Sequence, residues 1–254
     1  EYGAARRAEI GDTASLDFRP GSLAGYEDWA DAFRARVAEP VPDDTGIGIG
    51  EPTMAHLTAK RGDTCHVDVV DQWGNMVSAT PSGGWLKSSP VVPGLGVPLN
   101  TRAQMFWLEE GLPTTLAPGR RPRTTLSPSM AHGPDGSRLA FGTPGGDQQD
   151  QWQLTFLLRL IHHGMNLQEA GDAPRISHSG GSSPTGHGKG KGYISLEAGL
   201  MNDYQVVRRL MDLGHTVQYA RGIYGGYQAI MWDPVNRVYY GASESRKDGQ
   251  AAGY

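Results

Sequence analysis

Between Glu39 and Arg61 the chain loses all hydrophobic period. Its first part, EPVPDDTGIGIGEPT, holds three Pro and three Gly and supports neither helix nor strand. Structureless connections longer than about 15 residues are usually functional or exposed. The stretch divides the chain into two unlike textures. Upstream the pattern is helical. Glu1–Leu16 reads as the end of a helix, broken by DFRPGS at Asp17–Ser22. Ser22 reads as the N-cap of a second helix over Leu23–Ala38, spaced at Leu23, Tyr26, Trp29, Ala30, Phe33 and Val37.

Downstream, from Thr64, short strands begin. Cys65–Val70 (CHVDVV) alternates, and Met76–Thr80 (MVSAT) suits its hairpin partner. The turn between them, DQWGN, has Gly74 and Asn75 for positive φ. Pro81–Pro98 and Pro113–Arg123 read as loops, with a short helix or strand at Ala103–Glu110. Ser129–His132 and Arg138–Phe141 flank the hairpin signal Gly-Pro-Asp-Gly. Asp150–His163 is a long helical pattern stopped near Gly164, and Asn166–Ala170 opens another helix. Ser177–Gly192 is a Gly/Ser tract that reads as a loop. Asn202–Leu213 is an amphipathic helix ending at Gly214, and strands follow at Val217–Tyr219, Ala229–Trp232 and Val238–Ala242. Strands, central helices and strands again predict a layered α+β sandwich.

Composition narrows the function. A single Cys excludes an intrachain disulfide framework and any all-cysteine metal cage. A net charge of −4 argues against nucleic acid or an anionic membrane as partner. No apolar run approaches a membrane span. Hydrophobic content of 38% is low and 36 Gly are many for 254 residues. That suits a loop-rich chain or one sharing its core with another polypeptide. The first residue is Glu1 rather than Met, so processing or a missing front portion is expected.

Taken singly, the motifs leave alternatives open. Gly142-Thr143-Pro144-Gly145-Gly146-Asp147 lies between a strand and a helix. It is either a tight turn needing glycine or a backbone N–H site for an oxyanion. Gly188-Lys189-Gly190-Lys191-Gly192 lacks the spacing of a phosphate loop. His162 and His163, with His178 and His187, lack metal-ligand spacing, so no metal and no cofactor are expected. Cys65 and His66 are neighbours whose side chains leave an extended chain on opposite faces, and Cys65 reads as a buried free thiol. Arg120, Arg121 and Arg123 before Thr124-Thr125 are either a carboxylate site or a solvated basic loop.

The order and spacing of these pieces are far more specific. GDTCHVDVVD at Gly62–Asp71, followed by Gly74-Asn75-Met76-Val77-Ser78, resembles the opening of the small subunit of gamma-glutamyltranspeptidases. Arg121–Pro128 (RPRTTLSP) resembles that family's R-P-x-S-S-M-S-P stretch, and Gly142–Gly146 its G-S-P-G-G loop. Gly241–Arg246 (GASESR), with the Ala252-Gly253-Tyr254 ending, resembles its tail, and Ala5–Ile10 the end of its large subunit. The resemblance implies a four-layer αββα sandwich of the N-terminal-nucleophile hydrolase type. It divides the chain into 1–63, the end of a large subunit with its linker, and 64–254, a small catalytic subunit; the rest of the large subunit is the implied partner. It also implies self-cleavage between Asp63 and Thr64, with Thr64 as nucleophile. Ser82 stands where the family bonds the nucleophile with a second Thr, and Gly145 and Gly146 are the implied oxyanion donors. No membrane or nucleic-acid partner is implied; a soluble bacterial protein of cytoplasm or periplasm is expected.

The residues that would read substrate depart from the family. Gly84 replaces an Asn that reads the glutamyl α-group, and Arg102 and Met105 replace the Gln and Asp that hold its backbone end. Thr124 and Thr125 replace paired Ser residues. Losing the carboxylate removes the partner of an ammonium, and an Arg favours an anion. Three readings follow. The first is an amidohydrolase or acyltransferase that moves a γ-glutamyl or related acyl group to water or an amine. The second keeps the Thr chemistry on an altered substrate, as a side-chain amide acylase or a C–C bond hydrolase of natural-product pathways. The third is a non-catalytic homologue kept for binding, against which Thr64 and the glycine pair count.

Overall fold

The computed structural model describes residues 1–15, 19, 21–37, 64–83, 90–100, 102–108, 110–112, 114–178, 192–220 and 224–254. The Glu39–Arg61 connection, Asp63, Gly84 and most of the Gly/Lys tract before Gly192 lie outside them. Two helices come first: α1 (Tyr2–Ala8) and α2 (Glu27–Val37). The second starts five residues after Ser22, which is therefore not its N-cap. A turn with Gly25 at φ 82° takes up the apolar spacing of Leu23 and Tyr26 instead.

The antiparallel hairpin of β1 (Val67–Val70) and β2 (Met76–Ala79) follows. Gly74 takes positive φ as expected, at 83°, but Asn75 does not. Asn75 is instead tied to Asp71, whose carboxylate accepts its backbone N–H at 2.8 Å and its side-chain amide at 2.8 Å. Then come β3 (Ser129–His132), β4 (Arg138–Gly142), α3 (Gln149–His163) and α4 (Leu167–Asp172). Gly164 closes α3 in the left-handed conformation, and Asn166 opens α4 with a reciprocal capping box to Glu169. The chain ends through β5 (Ile176–His178), β6 (Tyr193–Leu196), α5 (Ala198–Met201), α6 (Tyr204–Asp212), β7 (Thr216–Tyr219), β8 (Gln228–Asp233) and β9 (Val238–Ser243). Ser177 and His178, expected in a loop, belong to β5, and β6 and α5 are additions to the expected elements.

A four-stranded antiparallel sheet in the order β3-β4-β8-β9 forms the centre. Its residues alternate between two faces. On one face Leu139, Phe141, Ala229 and Ala242 meet Phe156 of α3 and Leu167 and Ala170 of α4. Phe156 and Tyr227 stack with centroids 3.9 Å apart. The other face receives the β1–β2 hairpin. Arg138 lies 5.9 Å over the Trp232 ring and donates to the Gly74 carbonyl at 3.3 Å, and Ser78 donates to the Phe141 carbonyl at 3.2 Å. A third sheet, β5-β6-β7, has an antiparallel and a parallel pair. The fold is α+β, with a helix layer, a central sheet and a second sheet stacked in that order. On the outward face of the hairpin Val67, Val69 and Val77 are about half exposed. Among the described residues no helix is long and apolar enough to cross a membrane.

Candidate active site around Thr64

The β1–β2 register does more than make a hairpin. Val67 pairs with Ala79, and the ladder continues beyond the strands, where Cys65 N–H donates to the Pro81 carbonyl at 3.2 Å. Carried one residue further, the same register sets Thr64 opposite Ser82. Directly opposed residues share a face, and the two hydroxyls meet: Thr64 Oγ1 lies 2.7 Å from Ser82 Oγ. Thr64 is half-buried and Ser82 buried. Asn100 secures the partner, its side-chain amide donating to the Ser82 carbonyl at 3.3 Å while its oxygen accepts the Arg102 N–H at 2.7 Å. Nothing in the sequence around Asn100 had marked it.

The Arg102–Met105 segment is a turn of 3₁₀-helix, and Met105 is buried at 2% exposure. Cys65 is half-buried rather than buried.

The glycine turn is shaped by its neighbours. Gly145 has φ 150°, and a Cβ there would fall 2.2 Å from the Trp152 ring. Gly146, at φ 56°, starts a short 3₁₀-helix that runs into α3. Both residues are therefore glycine for steric reasons. Among the described residues no hydrogen bond takes the N–H of Gly145 or Gly146. Two backbone donors at the head of a helical segment can then serve an oxyanion. Thr143, fully buried, fixes the start of the turn: its Oγ1 accepts the Gly226 N–H at 3.0 Å and donates to the Pro144 carbonyl at 3.0 Å. Trp152 is held in turn by a 2.8 Å bond from its indole N–H to the Ile176 carbonyl and by stacking on Tyr224 at 5.3 Å.

The arginine–threonine run lies alongside. Arg123 pairs with Asp147, the residue after Gly146. Ser127 N–H donates to Gln149 Oε1 at 3.1 Å, and its hydroxyl to Asp150 at 2.8 Å. These bonds anchor the strip carrying exposed Thr124 and buried Thr125 to the first turn of α3. Arg120 instead stands 5.3 Å over the Trp29 ring. Among the described residues no group of His, Cys, Asp and Glu is arranged to hold a metal.

A sequence profile described as gamma-glutamyltranspeptidase matches residues 2–254. The chain belongs to the gamma-glutamyltranspeptidase family. The Acylase ACY 1 proenzyme of Pseudomonas sp. (strain SE83) is 33% identical over 191 residues, covering 75% of this chain and 32% of the relative. The glutathione hydrolase proenzyme of Bacillus subtilis (strain 168) is 31% identical over 194 residues, with 76% and 31% covered. The chain thus spans about a third of the length of these relatives. Among solved structures, LmbA2991HD is 44% identical with a TM-score of 0.74, covering 96% of this chain and 41% of that one. Gamma-glutamyltranspeptidase from Pseudomonas nitroreducens, complexed with L-DON, is 26% identical with a TM-score of 0.58; 74% of this chain covers 98% of that one. The fold is that of the family's N-terminal-nucleophile hydrolases.

Proposed function

We propose that the chain is the catalytic part of a self-processing amidohydrolase or acyltransferase whose nucleophile is Thr64. The observation that carries this reading is the 2.7 Å contact between Thr64 Oγ1 and Ser82 Oγ. It joins the residue expected to react to the hydroxyl expected to hold it. In the precursor the Thr64 hydroxyl attacks the Asp63 carbonyl. The Asp63–Thr64 C–N bond breaks, an ester forms on Thr64, and water hydrolyses it. This frees an α-amine on the residue that carries the hydroxyl. The unperturbed pKa of such an amine is about 8, so it can act as a base near neutrality. In the mature enzyme the hydroxyl attacks the acyl carbon of an amide, and its proton passes to that amine directly or through a water. Gly145 and Gly146 N–H groups stabilise the oxyanion, the C–N bond breaks, and the proton leaves with the amine product. Water or an amine then takes the acyl group from Thr64.

In this reading residues 1–63 end a large subunit and 64–254 are the small one. The P. nitroreducens chain, almost all of it covered by three quarters of this chain, supports that division. The rest of the precursor is the partner that covers Val67, Val69 and Val77. The substrate is a small amide, γ-glutamyl or related, bound near Gly84, Arg102, Met105, Thr124 and Thr125. A second reading, with an altered acyl group as in a side-chain acylase or a C–C bond hydrolase, draws on Arg102 and Met105. A guanidinium and a buried thioether there do not reproduce an ammonium-binding carboxylate.

Mass spectrometry of the purified full-length precursor tests the proposal. Cleavage is expected to expose Thr64 as a new N-terminus, and Thr64→Ala to abolish both cleavage and turnover. An uncut wild-type protein, or a Thr64→Ala variant that still cuts, overturns it. Turnover of γ-glutamyl-p-nitroanilide against a panel of other amides separates the two substrate readings.

A further inference from the structure

Two residues beyond Thr64 lies a polar pair that the proposed chemistry does not use. The His66 side chain is wholly buried and that of Asp68 is 1% exposed. Both face the central sheet from the inner side of the hairpin. Each ring nitrogen of His66 has a partner: Nδ1 lies 2.7 Å from Thr80 Oγ1, and Nε2 lies 3.0 Å from Asp68 Oδ1. The flat ring rests on the backbone of Gly142. A Cβ at that position would fall 2.3, 2.5 and 2.8 Å from three ring atoms. One residue earlier, Ser78 ties the hairpin to the Phe141 carbonyl.

These contacts bridge the two lines of chain that the proposed reaction needs in register. Back from His66, the chain reaches Thr64 in two residues. Onward from Gly142, it reaches Gly145 in three. Behind the turn Trp152 blocks movement away, since it already fills the space a Gly145 side chain would take. The turn is therefore gripped by one ring before it and another behind it. The bond pattern also argues against mere filling of space. Asp68 Oδ2 is buried with no hydrogen-bond partner among the described residues. Burying such an oxygen costs stability, and an aliphatic side chain would fill the same volume without that cost. What an aliphatic side chain lacks is a ring plane locked by a bond at each end.

We infer that His66, its ring plane fixed by Asp68 and Thr80, is the spacer that sets the separation of Thr64 from the Gly145 and Gly146 N–H groups. It is a positioning residue, and the inference rests on the nucleophile and oxyanion roles proposed above. Oxyanion donors act at about 2.7–3.1 Å, and a displacement of about 1 Å is enough for a rate loss on the order of 100-fold. The thickness of one ring is thus the dimension on which the site depends.

The test uses the full-length precursor and its own cleavage at Asp63–Thr64, which requires no knowledge of the substrate. On this inference the same Gly145 and Gly146 N–H groups receive the oxyanion of the Asp63 carbonyl in that cleavage. His66→Ala is expected to slow cleavage at least about tenfold with the thermal midpoint still measurable and cooperative. Gly142→Ala alone is expected to slow it too, because its methyl meets the ring. In the double variant the methyl moves into the vacated space, so cleavage is expected to be faster than the product of the two single effects predicts. Asp68→Asn keeps shape and acceptor and is expected to cleave near the wild-type rate, whereas Asp68→Ala frees the ring and slows cleavage. With γ-glutamyl-p-nitroanilide as probe, any turnover should show a fall in kcat at unchanged KM. A folded His66→Ala protein that cleaves at the wild-type rate, or single effects that simply multiply, overturns the inference. Should His66→Ala fail to fold, equal cleavage by Asp68→Asn and Asp68→Ala overturns it as well, and slower cleavage by the latter supports it. Thr64→Ala is the separate control: if it still cuts, the nucleophile reading has failed, whatever the spacer does.

Discussion

A hydroxyl becomes useful to catalysis when a neighbour fixes where its oxygen and proton point, and Ser82 is the neighbour Thr64 has. Ser82→Ala removes that contact while the Ser82 carbonyl stays bonded to Asn100. One hydrogen bond of about 1.4 kcal/mol corresponds to about tenfold in rate, and self-cleavage and turnover are expected to fall by about that factor. Ser82→Thr, which keeps the hydroxyl, is expected to stay close to wild type; stopped-time gels of precursor cleavage check both. This pair was legible only through the family resemblance, which sets Ser82 against Thr64; the hairpin register of the structure supplies its physical reason. The His66–Gly142 contact was not, since nothing in CHVDVV says which backbone will lie beneath the ring. Asn100 and Trp152 escaped for the same reason, as each matters through a residue distant in sequence.

At the scale of elements, local signals held where a cap or turn residue did the work. Gly164 ends α3, Gly214 follows α6 at φ 90°, and the Gly-Pro-Asp-Gly turn joins β3 to β4. Signals failed where tertiary pairing supplied the stabilisation. Tyr193–Leu196 is a strand because β5 and β7 flank it, and four residues after a glycine tract carry no period of their own. Asn166 shows how much one cap secures. Its side chain accepts the Glu169 N–H at 2.9 Å, and Glu169 accepts the Asn166 N–H at 2.9 Å. The short α4 that results carries Leu167 and Ala170 into the core and presents the Gly171 and Asp172 carbonyls to Arg246. Asn166→Ala is expected to cost about 1 kcal/mol of stability. Denaturant unfolding should show a lower midpoint with an unchanged slope, since the exposed area on unfolding stays the same.

The whole molecule is closed by its tail. Arg246 reaches Glu197 through Nε at 2.8 Å and Nη2 at 2.5 Å, and Glu244 through Nη1 at 2.6 Å. Glu244 also meets the buried Arg175 at 2.6 Å, and Ser245 N–H donates to Asp172 at 2.9 Å. The GASESR ending was readable as a motif, but this clasp was not, because its partners come from α4, β6 and the segments beside them. Low hydrophobic content, read as a loop-rich chain or one sharing its core with another polypeptide, gave no sign of these polar ties. The clasp makes stability depend on pH with signs that differ by residue. Burial would raise the Glu197 pKa, but the Arg246 hydrogen bonds, the Arg175 N–H and the charges of both arginines outweigh it and hold the carboxyl below its ordinary 4.5. Asp172 is likewise held low, burial being outweighed by Gln168, Ser245 and Arg246. A group whose folded pKa is depressed contributes stability above its unfolded pKa and loses it as pH falls through the folded one. Glu244 runs the other way: burial pushes it up despite Arg175 and Arg246, so its contribution is lost as pH rises through the raised value. Glu197→Gln isolates the first effect, since it removes one depressed carboxyl and leaves Glu244 in place. The variant is expected to melt below wild type at pH 7, and the gap between the two thermal midpoints should narrow as pH falls below about 4.5. A gap that stays constant from pH 7 to pH 3 would mean that Glu197 acts through shape alone and that its charge contributes nothing to holding the tail.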